Sequence, residues 1–357
     1  DALRMALAAL STQGRDILLS PGKIETYRFF MNKLWNAARF ALMNLENLEN
    51  LNGEPLKIDP TYLNLQDRWI LSRTQEIVEQ ETRLIDDYDI GAAARLLYDF
   101  VWGDFCDWYL EMSKPALKGD EGEDRKKTVQ GVLDEVFITL LPLLHPFIPF
   151  VTEELWEAFG YGTSAACTSA AWRGAACTGS AGSLMTAAWP KPKGEYRFDI
   201  GRGMQDFQNT VRTLRNLRAE AHVPPQQWMG KALLRVDQTA ATLRETLPLV
   251  SMLCRIKEIE LSPTSAPRPS ACLSSVLGDG EVSLLVGDVL DIGAEIARLK
   301  QELASIEKTV AGSQGRLDKP DFVARAPREV VEKERARVAE GQAQILRLQE
   351  NLKNLSQ

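Results

Sequence analysis

A cation, an amide and an aromatic ring recur on one face of a predicted helix near the start of the chain. Lys33, Asn36 and Phe40 stand at positions i, i+3 and i+7 of a helix predicted over 24–47. This mixture suits unpaired RNA bases, because positive charge attracts phosphate, an amide bonds to base edges and a ring stacks. A simpler interpretation is that Phe40 and Trp35 belong to the core while the cations extend into water. The spacing leaves both interpretations open.

Other residue types that could do chemistry are few and widely separated. His145 and His222 are not spaced with cysteine as a zinc site requires, and the five cysteines contain no CxxC pair. Asp104, Asp107 and Glu111 form an acidic row at helical spacing. Without a histidine beside it, that row is typical of a solvated helix face rather than of metal ligands. The sequence therefore predicts no catalytic site, resident cofactor or metal.

The charge balance restricts how the chain could bind a polyanion. Its net charge of −7 argues against a generally basic nucleic-acid binder, so RNA contacts would come from local patches. No apolar run approaches the length that spans a bilayer and no signal-peptide pattern opens the chain, so no membrane partner is expected. Cysteines without a disulfide framework indicate a reduced, cytoplasmic location.

Helical periodicity dominates the first 225 residues. The helix over 24–47 carries an apolar stripe for packing, made of Phe30, Leu34, Ala37 or Ala38, Ala41 and Leu45. Two helices are predicted over 63–117, the second with an aromatic face that is expected to be core, at Tyr98, Trp102, Phe105 and Tyr109. A charged linker over 118–127 should lead to a helix over 128–141, which Pro142 is expected to end.

A further helix is predicted over 203–221. Arg212, Arg215 and Arg218 recur at every third residue and form a basic edge along it. Such an edge is usually a solvated helix face. The alternative, contact with an RNA backbone, stays open.

Two segments interrupt the helical pattern. Residues 161–183 are of low complexity, with small, weakly apolar side chains that cannot offset the entropy of ordering, so a flexible surface insertion is expected. Residues 231–290 predict four short strands and one helix, with a hairpin turn at 278–280 between the last two strands. This second segment indicates a small α/β spacer.

The last segment is the most regular. Apolar residues alternate at four and three positions from Ile292 to Val310, and a second seam runs from Val331 to Leu355. The segment between them contains Gly and Pro together with four basic residues, Arg316, Lys319, Arg325 and Arg328. Two seams joined by such a turn predict an antiparallel coiled-coil hairpin.

Three of these stretches together resemble the valyl-tRNA synthetase family. They are 32–40 (with 14–19 upstream), 104–111 and 316–331, whereas 145–156 resembles the valyl, isoleucyl and leucyl enzymes alike. An isoleucyl enzyme would end in a cysteine-bound zinc module, and a leucyl enzyme would lack the coiled coil. The resemblance covers essentially the whole chain except 161–183.

The resemblance implies a mainly α fold with a domain organisation known from class I synthetases. Residues 1–22 would be the remnant of a connection from a catalytic domain, and 23–225 a helical-bundle anticodon-binding domain. Residues 231–290 would be the α/β spacer, and 291–357 a coiled-coil arm that meets the outer corner of tRNA. The start without Met suggests a piece of a longer protein or the product of a truncated reading frame.

The family attaches valine to its tRNA with ATP and magnesium, but both nucleotide signatures of the class are absent here, so this chain alone should not aminoacylate. The resemblance implies that valine tRNA is the partner and that a separate catalytic portion could complete the enzyme. The implied tRNA-binding residues are Lys33 and Phe40, supported by Asn32, Asn36 and Arg39, with the three arginines of the basic edge and the four basic residues of the hairpin. The alternative is a coiled-coil interaction scaffold or relic without RNA binding.

Overall fold

The computed structural model divides the chain into two compact units, residues 1–201 and 202–357. It describes all residues except 12–15, 17–18, 46–55, 57, 162–181, 238–239, 270–271, 279, 286–291, 319–327 and 356–357. The predicted flexible insertion over 161–183 therefore lies almost entirely outside the described residues. No helix in the described part of the chain is long and apolar enough to cross a membrane.

The first unit is a bundle of helices. Its helices are α1 (Ala2–Leu10), α2 (Pro21–Leu45), α3 (Leu65–Asp86), α4 (Ile90–Asp99), a π-helical segment (Phe100–Tyr109), α5 (Leu110–Lys118), α6 (Glu123–Leu144) and α7 (Pro149–Ala158). Within the described residues, single 3-10 turns accompany them at Pro60–Tyr62, Leu184–Thr186 and Gly194–Tyr196.

Helix α2 is held in the bundle by the apolar stripe that its sequence predicts. Phe30, Leu34, Ala38 and Ala41 are fully buried, and α2 packs against α1, α6, α7 and the π-helical segment. The side-chain amide of Gln130 on α6 also donates to the backbone oxygen of Asn44, at 2.6 Å. The opposite side of α2 is therefore free to face solvent.

The winding of the π-helical segment changes the aromatic face that the sequence predicts. Phe105 and Tyr109 are buried as expected, but Trp102 is only half-buried and stacks on Tyr98, with ring centroids 5.7 Å apart. Trp108 is buried as well. Trp102 departs from the predicted face because i→i+5 winding turns the chain less per residue than an α-helix does, so the three residues from Trp102 to Phe105 no longer nearly complete a turn.

Helix α6 differs from its prediction at both ends. It begins at Glu123, inside the predicted linker, and runs through Pro142 to Leu144. Gly119 and Gly122 supply the tight connection, both at positive φ, where glycine is unstrained. Proline removes one helical hydrogen bond, but Leu141, Leu143 and Leu144 are all buried around it. The burial of these neighbours offsets the lost bond, so the expected break at Pro142 does not occur.

Residues 189–198 bind along α3 as an extended strap. Trp189 donates its indole N–H to Oγ1 of Thr82 at 2.8 Å, and the backbone N–H of Lys193 donates to Oε1 of Gln75 at 2.7 Å. Lys193 also forms an ion pair with Glu135 on α6 at 2.6 Å. The strap thereby holds the chain that follows the insertion against the bundle.

The second unit combines a small sheet with helices. Its elements are α8 (Gly203–Glu220), β1 (Met229–Arg235), α9 (Ala240–Cys254), β2 (Ile256–Ser262), β3 (Cys272–Leu277), β4 (Gly280–Leu285), α10 (Ile292–Leu317) and α11 (Arg328–Leu355). The strand order is β2-β1-β4-β3; β1 and β2 are parallel and the other pairs antiparallel. Leu277 pairs with Gly280 and Gly278 has φ +54°, so the predicted hairpin turn is confirmed.

Helices α10 and α11 form the antiparallel hairpin that the sequence predicts. Arg316 of α10 reaches Glu334 of α11 at 3.0 Å, while Val310 lies against Gly341, so the two helices run in opposite directions. The inward residues of α11 alternate at three and four positions, at 331, 334, 338, 341, 345, 348 and 352. The apolar seam therefore includes two exceptions, a carboxylate at Glu334 and a glycine at 341.

Glu81 on α3 is fully buried, and in the described part of the molecule neither carboxylate oxygen has a hydrogen-bond partner. Burial raises the pKa of Glu81 to about 8 from its ordinary 4.5. The folded protein therefore keeps a proton that the unfolded chain releases, and its stability falls as the pH rises from 4.5 through about 8.

The substitution Glu81→Gln should remove this fall in stability with rising pH. Between about pH 5.5 and pH 7.5 the wild type should lose roughly 2–3 kcal/mol of unfolding free energy relative to the variant, at about 1.4 kcal/mol per pH unit. Urea unfolding across the pH series measures it. The exposed Glu154 on α7 provides the control, because Glu154→Gln should follow the wild type. Parallel curves for wild type and Glu81→Gln would contradict a buried, protonated carboxyl.

Gly341 marks the closest approach of the hairpin helices. A Cβ at this position would overlap Cγ2 of Val310, whereas nothing lies within 4 Å of a Cβ at Gly312 on α10. Gly341→Ala should therefore weaken the hairpin by about 1 kcal/mol, since overpacking outweighs the gain in helix propensity. Gly312→Ala should strengthen it by roughly 0.5–1 kcal/mol. Amide hydrogen exchange in α10 and α11 measures both, and equal protection in the two variants would refute the close contact.

Candidate nucleic-acid interface

The solvent-facing side of α2 brings together the residue types that bind unpaired bases. At about 100° per residue, Asn32, Asn36 and Arg39 lie on one exposed arc, with Trp35 at its edge, 43% exposed. The arc carries two amides, one guanidinium and one ring, and it lies opposite the buried stripe. The packing of α2 therefore leaves the predicted polar residues accessible.

Lys33 lies at the border of this arc and is held by the π-helical segment. Its Nζ is 2.5 Å from Oδ1 of Asp107, 3.3 Å from the backbone oxygen of Trp102 and 3.8 Å from the centroid of the Trp102 ring. Trp102 and Asp107 are five residues apart, a spacing that an α-helix would spread over about 140° and that π-helical winding draws together. The segment thus presents a carboxylate, a carbonyl and a ring to one ammonium group.

Phe40 is half-buried on the same border of α2. Its backbone oxygen accepts a hydrogen bond from the Asn44 side chain, at 2.8 Å. Phe40 is therefore partly accessible and partly packed, and its burial leaves both interpretations open.

Sequence reasoning missed two apolar residues on the exposed arc. Phe29 is 52% exposed, with the guanidinium carbon of Arg28 lying 5.7 Å from its ring centroid, and Met43 is 60% exposed. They lie about one helical turn beyond Asn32 and Arg39 at the two ends of the arc. Extending the polar row of α2 in both directions would have found them.

The predicted acidic row is accessible to solvent, and each of its carboxylates is also ion-paired. Asp104 binds Arg73 of α3 at 2.9 Å, Asp107 binds Lys33, and Glu111 binds Lys114 at 2.6 Å. The side chains of Asp107 and Glu111 keep 53% and 46% of their exposure, as expected for a solvated face, although the sequence did not predict their cationic partners. The described residues include no group of three or more His, Cys, Asp or Glu that could hold a metal ion.

The predicted basic edge of α8 is not one continuous surface. Arg212 and Arg215 are exposed, but Arg218 is buried and donates to the backbone oxygens of Cys254, Arg255, Pro224 and Gln227. Desolvation by this burial lowers the pKa of the Arg218 guanidinium. Every third residue of an α-helix advances by about 300°, so the row drifts across the surface, and its last member turns inward.

The basic residues of the hairpin are only partly described. The Arg316 guanidinium binds the carboxylate of Glu334 at 3.0 and 3.2 Å and Oγ of Ser313 at 3.3 Å. This contact lowers the pKa of Glu334, with the hydrogen bonds from Ser313 and Arg316 as the main causes. Arg328 begins α11, whereas Lys319 and Arg325 lie outside the described residues.

Two family models match the chain. Residues 67–233 match the anticodon-binding domain of tRNA ligase, and residues 291–356 match the valyl tRNA synthetase tRNA binding arm. The second match covers the α10–α11 hairpin. Helix α2 precedes the first matched range and is included in the similarity to full-length relatives.

The similar curated proteins are valine–tRNA ligases. The one from Syntrophotalea carbinolica is 35% identical over all of this chain, and the one from Thermotoga maritima is 35% identical over 99% of it. The one from Geobacter sulfurreducens is 36% identical over 95% of the chain. The chain spans 36–38% of the length of these relatives. The chain therefore belongs to the valine–tRNA ligase family, from which it carries the anticodon-binding domain and the tRNA-binding arm.

Proposed function

We propose that this chain is the tRNA-recognition part of a valine–tRNA ligase and that it binds valine tRNA. The observation that carries the proposal is the exposed arc of α2, where amides, a cation and rings lie together on a helix fixed by its buried stripe. The two tRNA-binding domains that the family models identify support the same assignment.

Within this proposal each part of the chain has its own task. Residues 23–225 bind the anticodon through α2, with Phe40 stacking on an unpaired base and Asn32 and Asn36 bonding to base edges. Residues 231–290 act as a spacer, and 291–357 contact the outer corner of the tRNA. Residues 1–22 lead from the catalytic part. The complete ligase would use ATP with magnesium, and this chain alone would not aminoacylate without that catalytic part.

Filter binding of the purified chain tests this function. Valine tRNA should bind more tightly than the same tRNA with a changed anticodon, and affinity should fall with increasing salt. Phe40→Ala should weaken binding to the native tRNA by about 1–3 kcal/mol, because one base loses its stacking surface. The control is Phe150→Ala, which removes an exposed ring from α7 and should leave affinity unchanged.

Equal or undetectable binding of the two tRNAs would reject the recognition function and leave the interaction scaffold or relic as the better description. Wild-type affinity in Phe40→Ala would remove Phe40 from the site without rejecting RNA binding by the chain.

The arginines of α8 should separate into a binding group and a structural group. Arg215→Ala should flatten the salt dependence of log K by roughly 0.7–0.9 for one lost phosphate contact, with stability changed by less than about 0.5 kcal/mol. Arg218→Ala should instead destabilise the second unit by about 2–4 kcal/mol, because four carbonyl groups lose a buried charged donor.

Salt-series binding and urea unfolding of both α8 variants measure the two effects. Unchanged stability of Arg218→Ala, or an unchanged salt slope of Arg215→Ala, would contradict the corresponding role.

A further inference from the structure

We propose that Asp107 and Trp102 are positioning residues that turn Lys33 into a hydrogen-bond donor to a neutral base edge, and that Lys33 does not contact phosphate. The inference rests on the proposed binding of tRNA at α2 and goes beyond it, because it states which chemical group Lys33 recognises.

The first argument is charge. Asp107 Oδ1 lies 2.5 Å from the Lys33 ammonium, so the pair has no net charge for an approaching ligand. A phosphate close enough to bind Lys33 would also lie within a few ångströms of the Asp107 carboxylate, which repels it. A neutral carbonyl oxygen or ring nitrogen of a base is not repelled in this way. The ion pair therefore selects against phosphate at this position.

The second argument is the number of donors. An ammonium group has three N–H bonds. One is directed to Asp107 and one to the backbone oxygen of Trp102, at 3.3 Å, which leaves one for a ligand. The Trp102 ring, 3.8 Å from Nζ, holds the cation on a further side. The remaining donor is thus fixed in place, as the recognition of one base edge requires.

The third argument is burial. The Lys33 side chain retains 23% of its exposure, whereas Asp107 retains 53%. Lys33 is therefore only partly accessible to solvent, while its partner stays accessible. Phosphate recognition does not need this restriction, since it depends mainly on charge.

Arg39 provides the comparison on the same helix. It is exposed on the α2 arc, and no ion pair or hydrogen bond of its side chain exists among the residues that the structure describes. Its charge is therefore available to attract the RNA backbone. On this face of α2, the uncompensated charge of Arg39 supplies affinity for RNA. The compensated charge of Lys33 supplies sequence preference.

The test compares the salt dependence and the anticodon preference of variants of the full chain, with valine tRNA and its changed-anticodon form as probes. The double variant Lys33→Ala/Asp107→Asn removes both charges of the ion pair, so it leaves no uncompensated carboxylate. It should weaken binding to the native anticodon by about 5–150-fold and reduce the preference, with the slope of log K against log salt unchanged. Arg39→Ala should flatten that slope by about 0.7.

Asp107→Asn should make the salt dependence steeper, which is the opposite of the change expected for Arg39→Ala. With its charge uncompensated, Lys33 should attract phosphate, so the slope should steepen by about 0.7 while the preference for the native anticodon falls. Asp107→Glu restores the charge and should restore the wild-type slope. The matched control is Glu111→Gln, which breaks the Lys114–Glu111 ion pair on α5 and should change neither quantity.

Three results would overturn the assignment. The double variant Lys33→Ala/Asp107→Asn could flatten the slope as much as Arg39→Ala does, which would make Lys33 a phosphate contact. Asp107→Asn could match the wild type in slope and preference, which would remove its positioning role. A wild-type chain that does not prefer the native anticodon would reject the proposed function itself, and the separate wild-type measurement distinguishes that failure from the other two.

Discussion

The bundle depends on one buried carboxylate. Asp67, at the start of α3, is fully buried and binds Arg125 of α6 at 2.8 Å, Tyr109 of the π-helical segment at 3.0 Å and the backbone N–H of Asn64 at 2.9 Å. A buried ion pair adds little net stability over an apolar pair, but removing one partner costs about 3–5 kcal/mol because the other charge is left uncompensated. We infer that the contact acts mainly as a specificity constraint, because it joins three elements at one carboxylate. The same contact places Tyr109, and with it the rest of the π-helical segment, beside α2.

The π-helical segment connects Asp67 to the candidate site on α2. Tyr109 at its end is fixed by Asp67, and seven residues earlier Trp102 lies under Lys33. Because π-helical winding is less favourable than α-helical winding, such segments persist where tertiary contacts hold them, often at functional sites. Here the contacts exist on both sides: Phe105, Trp108 and Tyr109 are buried in the core, while Asp104 and Asp107 are ion-paired on the surface. The same ten residues thus serve packing and the placement of a candidate RNA-binding lysine.

Sequence periodicity predicts the elements whose position depends on the burial of apolar residues. It fails where a contact between distant residues determines the local structure. The stripe of α2, the strands of the second unit and the antiparallel hairpin follow from apolar spacing, and the structure confirms each of them. Helix α6 starts early and passes through Pro142 because Arg125 is drawn to Asp67 and the surrounding leucines are buried, neither of which local sequence shows. Within the candidate site, the sequence predicted the residue types on α2 but not the partners of Lys33. Trp102 and Asp107 are about 70 residues away in sequence, and only the non-standard winding brings both to one ammonium. At Arg218 the error is the opposite one, because the sequence pattern predicts a solvent-facing basic edge and its last residue is buried.

An acidic chain can bind RNA when neighbouring carboxylates compensate some of its cations and leave others uncompensated. With a net charge of −7, long-range attraction is weak, so a few uncompensated side chains must supply the affinity. Ion pairs remove Lys33, Arg73, Lys114 and Lys193 from that group without removing their hydrogen-bond donors. Exposed residues such as Arg39 and Arg215 keep their charge available. Nonspecific attraction to any polyanion should then be low, because phosphate would meet carboxylates near most of the paired lysines and arginines. Under the proposed function, recognition would depend on donor geometry, which favours one arrangement of unpaired bases over the backbone that all RNAs share.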